Sequence, residues 1–344
     1  NDLREASFAE IGLGLSDVAT YTGDRGVVAH GDCLEILSRL PEASISLILT
    51  DPPYHSTKKR NIYGDTAFKE DSHYIEWMRQ VAIEWRRVLK PNGSIYVFCS
   101  SAMSSQLEVM LSTMFFPLNN ICWSKPNEPG FDGWRGKMNK EALRSWYPHS
   151  ERILFLEAAE DGNLKRSPLG NLLREKRLEA GLSGHQLTEI IGEYGKVNHG
   201  GAVSNWETGR NIPSREQYFK ICKALISTGK VDSMPAYEDV VRPFSATKEM
   251  QYIDVWDFPS VRPYRGKHPA EKPLEMLRHM INASSFPGDI VLDCFAGSGS
   301  TGVAAIECGR RTVLIDVEPS WSSRAASRVK SAHSAIARIE FSPQ

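Results

Sequence analysis

Short β-branched apolar runs, each closed by a chain-breaking turn and followed by a segment of helical period, constrain this chain more than any other feature. Ile45-Ser46-Leu47-Ile48-Leu49-Thr50 stops at Asp51-Pro52-Pro53. Its length and branching predict a strand buried on both faces, with Asp51 at its C-terminal end. From Tyr74 to Leu89, apolar residues recur at Ile75, Met78, Ala82, Trp85 and Leu89, a helical spacing that ends at Lys90-Pro91-Asn92-Gly93 before a second strand, Ser94 to Cys99. The order recurs near the C-terminus, with Ile290-Val291-Leu292 as a strand, a glycine loop, a helix from about Thr301 to Cys308 and a strand from Thr312 to Ile315. Strand, turn, helix, strand is the pattern of a parallel sheet covered by helices, so the expected class is α/β with a doubly wound, Rossmann-like sheet. Further strands are expected at Asn120 to Trp123 and Arg152 to Leu156.

At 344 residues the chain is long enough for two domains, or for one large core carrying an insertion. With 41% apolar and 24% charged residues it has an ordinary globular composition, which excludes a disordered chain, and no apolar run is long enough for a membrane span. Asn1 to Ser7 carries no basic region followed by a hydrophobic stretch, so no secretory leader is expected. The six cysteines lie far apart without C-x-x-C pairs or neighbouring histidines. They are expected to be reduced thiols of a cytoplasmic protein, with no metal bound.

Charge divides the chain. Gly162 to Lys230 holds eleven Lys/Arg against six Glu, a local +5 that leaves −6 for the remainder of a chain of net charge −1. The same segment reads as several short helices separated by glycine turns at Gly181, Gly195, Gly200-Gly201 and Gly209. The expected organisation is a catalytic part over residues 1–160, a small all-α insertion over 161–235 and a cofactor-binding part over 236–344.

Two motifs carry chemistry. Asp293-Cys294-Phe295-Ala296-Gly297-Ser298-Gly299-Ser300-Thr301-Gly302 lies between a strand and a helix, where small residues let backbone N–H groups approach an anionic ligand. Asp316 ends the next strand, placed for ribose hydroxyls. These features suit a nicotinamide or any other adenosine-containing cofactor. Asp51-Pro52-Pro53-Tyr54 is more specific, because it sets a carboxylate, two rigid prolines and an aromatic ring at a strand's C-terminal edge. The Asp51 carboxylate and the Pro52 carbonyl, which faces no following N–H, can accept both hydrogens of one exocyclic amino group while Tyr54 stacks on the attached ring. Such acceptors pull a delocalised aromatic amine toward tetrahedral geometry and make its lone pair available.

The tetrapeptide, followed far downstream by Phe295-Ala296-Gly297-Ser298-Gly299, resembles the S-adenosylmethionine-dependent DNA amino-methyltransferases, and the order of the two motifs resembles their permuted beta group. Three further segments are similar to family motifs: Gly31-Asp32-Cys33-Leu34, His268-Pro269-Ala270-Glu271-Lys272-Pro273 and Ile315-Asp316-Val317-Glu318-Pro319-Ser320-Trp321. The resemblance covers about residues 27–157 and 252–330, with Asp316 and Trp321 standing where Glu and Tyr are commoner. It implies a circularly permuted methyltransferase sheet in which Asp51, Pro52, Pro53 and Tyr54 are catalytic. Asp32 and the Cys33 backbone would hold the cofactor's adenine, and Asp316, or else Glu318, its ribose. The remaining cofactor contacts would come from Asp51, His268, Lys272, Asp293, Phe295, Gly297, Ser298, Gly299, Ser300 and Thr301. The implied reaction moves a methyl group from S-adenosylmethionine, leaving S-adenosylhomocysteine, to N6 of an adenine flipped out of double-stranded DNA, with no metal. Cytosine N4 and a DNA-binding regulator with an inactive core remain the alternatives.

The insertion is similar to the helix-turn-helix of phage-repressor-type regulators, through Leu169 to Arg177, Ala180-Gly181-Leu182-Ser183, Ala202 to Arg210 and Pro213. That resemblance implies a recognition helix over about Gly200 to Glu207, with Val203 and Trp206 inward, His199, Ser204 and Asn205 near base edges and Arg210 on phosphate. It also implies a homodimer on a symmetric site as one assembly. Lys58-Lys59-Arg60 is either a solvated loop or a phosphate clamp beside Tyr54. Trp123, Trp134, Trp146 and Tyr147 either pack in the core or line the path of the target base.

Overall fold

The computed structural model describes residues 2–54, 68–125, 139–146, 149–158, 168–193, 201–246 and 252–340. They fall into two compact units, one formed by residues 1–158 and 244–344, the other by 159–243.

The larger unit carries strands β1 (Ala19–Gly23), β2 (Gly26–His30), β3 (Ile45–Thr50), β4 (Leu89–Cys99), β5 (Phe115–Ser124), β6 (Ser150–Ala158), β7 (Val255–Asp257), β8 (Ile290–Asp293) and β9 (Arg311–Asp316). Its helices are α1 (Asp2–Gly14), α2 (Cys33–Ser38), α3 (Asp71–Val88), α4 (Ser104–Leu111), α10 (Leu274–Ser284), α11 (Ser300–Glu307) and α12 (Pro319–Glu340). The smaller unit holds α5 (Pro168–Glu179), α6 (Gly184–Ile190), α7 (Gly201–Glu207), α8 (Arg215–Ile226) and α9 (Tyr237–Val240).

One sheet runs β1-β2-β9-β8-β3-β4-β6-β5-β7. From β2 to β4 all neighbours are parallel, while β6 pairs antiparallel with both β4 and β5. The C-terminal strands β8 and β9 therefore sit in the middle, between β2 and β3. Side-chain alternation divides the core between the faces. Ile48, Val97 and Leu292 pack with Met78, Val81 and Trp85 of α3, whereas Leu47, Leu49, Phe98 and Val291 pack with Met276, Leu277 and Met280 of α10. All six residues of β3 are buried, the polar Ser46 and Thr50 with the four apolar ones.

Lys90 to Gly93 departs from its expected role as a turn. The strand begins at Leu89, which pairs with Ile45, and the next pair is Leu47 with Ser94, so the four residues form an irregularity within β4. Gly93 suits this irregularity, since a Cβ there would crowd Leu89 Cδ1 at 2.6 Å and the Lys90 carbonyl at 3.0 Å. Strands β5 and β6 extend beyond the apolar cores that marked them.

The smaller unit closes its own core around Leu173, Leu187, Val203, Trp206, Ile221 and Leu225. Ser183 and Ser214 begin α6 and α8, each completing a capping box with the glutamine three residues on. Arg177 of α5 grips Glu207 of α7 through Nε and Nη2 at 2.5 and 3.0 Å. Val240 and Val241 are buried in this core, so the unit continues to Pro243 rather than ending at residue 235.

Candidate active site

Parallel strands bring their C-terminal ends to one edge, and there the sheet gathers the motifs of the larger unit. Thr50 ends β3 and delivers Asp51 to Tyr54; Asp293 ends β8 and opens the glycine loop; Asp316 ends β9; Gly31 and Asp32 follow β2. Together they line a cavity of ≈ 430 Å³, a volume suited to a cofactor-sized ligand.

The glycine loop is fixed from below. Asp293 accepts Thr50 Oγ1 at 2.8 Å, Thr301 Oγ1 at 2.7 Å and the Phe295 N–H at 3.1 Å. Burial outweighs these bonds and lifts its pKa to about 6. Asp316 accepts the Gly297 N–H at 2.7 Å and the Glu318 N–H at 2.9 Å, and burial likewise lifts it to about 6. Two amides leave this carboxylate with further acceptor capacity for a diol. Gly297 has φ 49°, and a Cβ there would press on the His268 ring at 3.2 Å. Gly299, at φ 78°, precedes α11 as its N-cap; its missing Cβ makes room for Ala325 Cα, at 2.8 Å, and it does not line the cavity.

Around the loop, Asp32 caps α2 through the Leu34 and Glu35 amides at 2.9 and 3.3 Å. Phe295 and Trp77 lie 5.6 Å apart between ring centroids, with Phe68 5.3 Å beyond Trp77. His268 packs edge-on against Trp321 at 4.5 Å, and its Nδ1 accepts the Ala270 N–H at 3.2 Å. Burial, then the nearby Lys272 charge, pushes its pKa down to about 4, so the ring is neutral at physiological pH and adds no positive charge to the cavity.

At the other end lies a buried charge cluster. Lys272 Nζ sits 2.7 Å from Asp51 Oδ2 and 3.3 Å from Glu151 Oε2, with ring centroids of Phe98, Tyr54 and Trp123 at 4.9, 5.2 and 5.9 Å. Tyr54 donates its hydroxyl to Glu151 at 3.0 Å, and Lys125 pairs with the same carboxylate. Despite burial, Lys272 and Lys125 hold Glu151 down at about 2, whereas burial raises Asp51 and the Lys272 charge only partly offsets it. Burial works against the Lys272 ammonium, but Asp51 and Glu151 together raise its pKa. Asp51 Oδ1 is buried without a partner among the described residues. An acceptor left bare at 16% side-chain exposure, beside an aromatic ring, is a place for an incoming N–H donor.

Of the residues singled out in the sequence, Asp32, Cys33, Asp51 to Tyr54, His268, Lys272, Asp293, Phe295, Gly297, Ser298, Ser300, Thr301 and Asp316 line this one cavity. Lys272 faces Asp51 and Glu151. Trp123 lines the cavity and donates its indole N–H to the Phe258 carbonyl at 2.8 Å, whereas Trp146 is 98% exposed. Ser204, Asn205 and Arg210 belong to the smaller unit, the first two half-buried and the last exposed. Lys58, Lys59, Arg60, Trp134, Tyr147 and His199 lie outside the described residues. Sequence reasoning missed Glu151, Lys125, Trp77 and Phe98, all in the cavity wall. Among the described residues no His/Cys/Asp/Glu group could hold a metal ion, and no helix is long and apolar enough to cross a membrane.

A run of parallel strands with a glycine loop on one strand end, and a carboxylate acceptor beside an aromatic ring on the next, suits an enzyme that transfers a group to an amine. Comparison with known proteins agrees. The DNA methylase family N6_N4_Mtase matches residues 45–326. The DNA adenine methyltransferase YhdJ of Escherichia coli K12 is 28% identical over 307 residues, covering 88% of this chain and 81% of that protein. Among solved structures, the cytosine-N4-specific PvuII DNA methyltransferase superposes with a TM-score of 0.53 at 19% identity, over 93% of this chain and 94% of that one. The complex of M1.HpyAVI with SAM matches at 0.49 and 19%, over 88% and 98%. The chain belongs to the N6/N4 DNA methylase family and is an S-adenosylmethionine-dependent DNA amino-methyltransferase.

Proposed function

We propose that the protein methylates N6 of adenine in double-stranded DNA, with the smaller unit reading the site and the chain working in the cytoplasm. The bare, buried Asp51 Oδ1 beside the Tyr54 ring carries this reading, since it is an acceptor in want of one amino hydrogen. YhdJ, named for adenine, is the relative that favours N6 over N4.

S-adenosylmethionine supplies an electrophilic sulfonium methyl group when bound. The residues fit it: Asp316 keeps acceptor capacity that would take ribose hydroxyls, Asp32 and the Cys33 backbone, which line the same cavity as the Phe295–Trp77 ring pair, would hold the adenine, and Gly297, Ser298 and Ser300 would hold the methionine end. Neutral His268 adds no further positive charge against the sulfonium. The work of the chain is then positional and electrostatic. Asp51 and the Pro52 carbonyl accept the two N6 hydrogens and orient the nitrogen lone pair, Tyr54 stacks on the extruded base, and unstacking costs a few kcal/mol. The strand order, with β8 and β9 placed centrally although last in sequence, supports a circularly permuted methyltransferase sheet. In the smaller unit, burial of Val203 and Trp206 in α7, and of Leu187 in α6, within one core supports reading the two helices as a helix-turn-helix pair.

Incubation with methyl-labelled S-adenosylmethionine and unmethylated bacterial DNA, followed by nucleoside mass spectrometry, tests the reading. N6-methyladenine confined to one short motif is expected. N4-methylcytosine would move the target to the other base, and cofactor binding without any methylated nucleoside would overturn the proposal.

A further inference from the structure

An ammonium ion held between two carboxylates, and ringed by three aromatic side chains, lies beside the acceptor proposed for the target amine. Lys272 Nζ bonds Asp51 Oδ2 at 2.7 Å while Asp51 Oδ1 stays bare. The same Nζ lies 3.3 Å from Glu151 Oε2, so a small shift exchanges one carboxylate for the other. We propose that Lys272 is a resident counterion of Asp51, held on Oδ2 beside the bare Oδ1 and keeping the carboxylate ionised between turnovers, and that Glu151 receives it when the base enters. This rests on the reading that Asp51 is the acceptor of the target amine.

Three observations support the exchange. Glu151 is anchored independently by Tyr54 and Lys125, so it remains in place when Lys272 arrives. Tyr54 links the two ends, since its hydroxyl reaches Glu151 and its ring is the surface expected to stack on the base. Charge also balances, because Asp51 and Glu151 face Lys272 and Lys125 and the exchange moves no net charge out of the cavity. Among the described residues the groups facing Asp51 are Lys272 before α10, Glu151 on β6, the Tyr54 hydroxyl, Cys99 at the end of β4 and Asp293 at the end of β8, while Lys125 after β5 faces Glu151. Burial raises the Cys99 and Tyr54 pKa values, so both stay neutral, and Lys272 is the cation paired with Asp51 among the described residues. Without it, burial leaves Asp51 to take up a proton, and a neutral carboxyl is a poor acceptor for an amine becoming positive.

The test uses the full chain and two readouts. In cofactor-free Lys272→Met at pH 7, infrared difference spectra should show a protonated carboxyl band that is missing from wild type and from Lys272→Met combined with Asp51→Asn. The acid limb of kcat/KM should move alkaline by about one pH unit or more, and Lys272→Arg should restore both. Glu151→Gln, which leaves Lys272 committed to Asp51, should raise KM for DNA about tenfold with the cofactor Kd unchanged. An ionised Asp51 with an unmoved pH profile in Lys272→Met overturns the counterion role, and an unchanged KM for DNA in Glu151→Gln overturns the exchange. Should Lys272→Met not fold, Lys272→Arg and Glu151→Gln decide alone: an unchanged KM for DNA in Glu151→Gln, or loss of Asp51 ionisation in Lys272→Arg, overturns it. If wild type transfers no methyl group, the functional reading fails while the infrared comparison still decides the ion pair.

Discussion

Arg328, on α12, places Nη1 3.1 Å from Glu271 Oε1 and also 3.0 Å from the Ser298 carbonyl, 2.8 Å from Ser298 Oγ and 3.2 Å from Ser300 Oγ. One guanidinium thus ties the His268-to-Pro273 segment to the glycine loop. Glu271 is 5% exposed and accepts Tyr264 through its other oxygen, so the tie is buried at its acidic end. Removing it in Arg328→Met should loosen the loop and weaken cofactor binding by about 1.4 kcal/mol, roughly tenfold in Kd. Titration calorimetry checks the affinity, and kcat at saturating cofactor should stay within about twofold of wild type.

Asp51→Ala should lower kcat by about 10²- to 10³-fold, the usual loss when one preorganised group facing developing charge is removed. The cofactor Kd should hold within a few-fold, because Asp316, Gly297 and Phe295 follow other strands and Trp77 stands on α3. Asp51→Asn keeps the acceptor oxygen without its charge and should fall between the two. Single-turnover transfer assays beside calorimetry separate the effects, and wild-type turnover in Asp51→Ala would refute the assignment.

These residues were not equally legible in the sequence. Asp51 was, because a strand buried on both faces betrays itself by apolar residues at successive positions, here Leu47-Ile48-Leu49, and prolines mark its end. The glycine loop was legible as a loop but not glycine by glycine, since Gly297 abuts the His268 ring whereas Gly299 makes room for Ala325. Lys90 to Gly93 read as a turn because Pro and Gly punctuate it, and only pairing with β3 draws it into the strand. Glu151 was invisible for a different reason. It reaches the cavity because β6 runs antiparallel between β4 and β5, pairing Glu151 with Trp123, and no local pattern encodes that register. Lys272 was visible as part of a motif, but its partners come from two strands distant in sequence.

Burial lifts Asp293 and Asp316 to about 6, which fixes the sign of a pH effect. The folded protein binds these protons more tightly than the unfolded chain does, so their contribution is greatest below about pH 4 and falls as pH rises through about 6. Asp293→Asn removes one such group while leaving an amide for Thr50 and Thr301 to bond. Its unfolding free energy, measured by urea titration between pH 4 and 7, should fall less steeply with pH than that of wild type, by about 1–3 kcal/mol over the range. Parallel slopes would show that Asp293 is ionised across it.

Breaking the Arg177–Glu207 fork should loosen the smaller unit alone. Both side chains are 12% exposed and Arg177 also donates to the Leu182 carbonyl at 2.8 Å, so Arg177→Ala leaves Glu207 partly buried without its partner, at a cost of about 2–3 kcal/mol. Hydrogen exchange should quicken in α5 and α7 while amides of β3 and β8 keep wild-type protection. Uniform acceleration throughout the chain would contradict the independence of the two cores.

Within α7, burial of Ala202, Val203 and Trp206 commits those side chains to the unit's own core, and Glu207 is committed to Arg177. Ser204 and Asn205 are left as the helix's candidates for base edges, and exposed Arg210 as the candidate for phosphate. The two roles predict different failures. Asn205→Ala should relax the methylated motif at one position, losing about 1–3 kcal/mol of discrimination there, seen as additional modified sequences when bacterial DNA is mapped. Arg210→Ala should instead weaken binding to all sequences alike and reduce the slope of log affinity against log salt by about one. An unaltered motif in Asn205→Ala together with an unaltered salt slope in Arg210→Ala would remove α7 from recognition and leave the smaller unit's basic charge as a solvated surface.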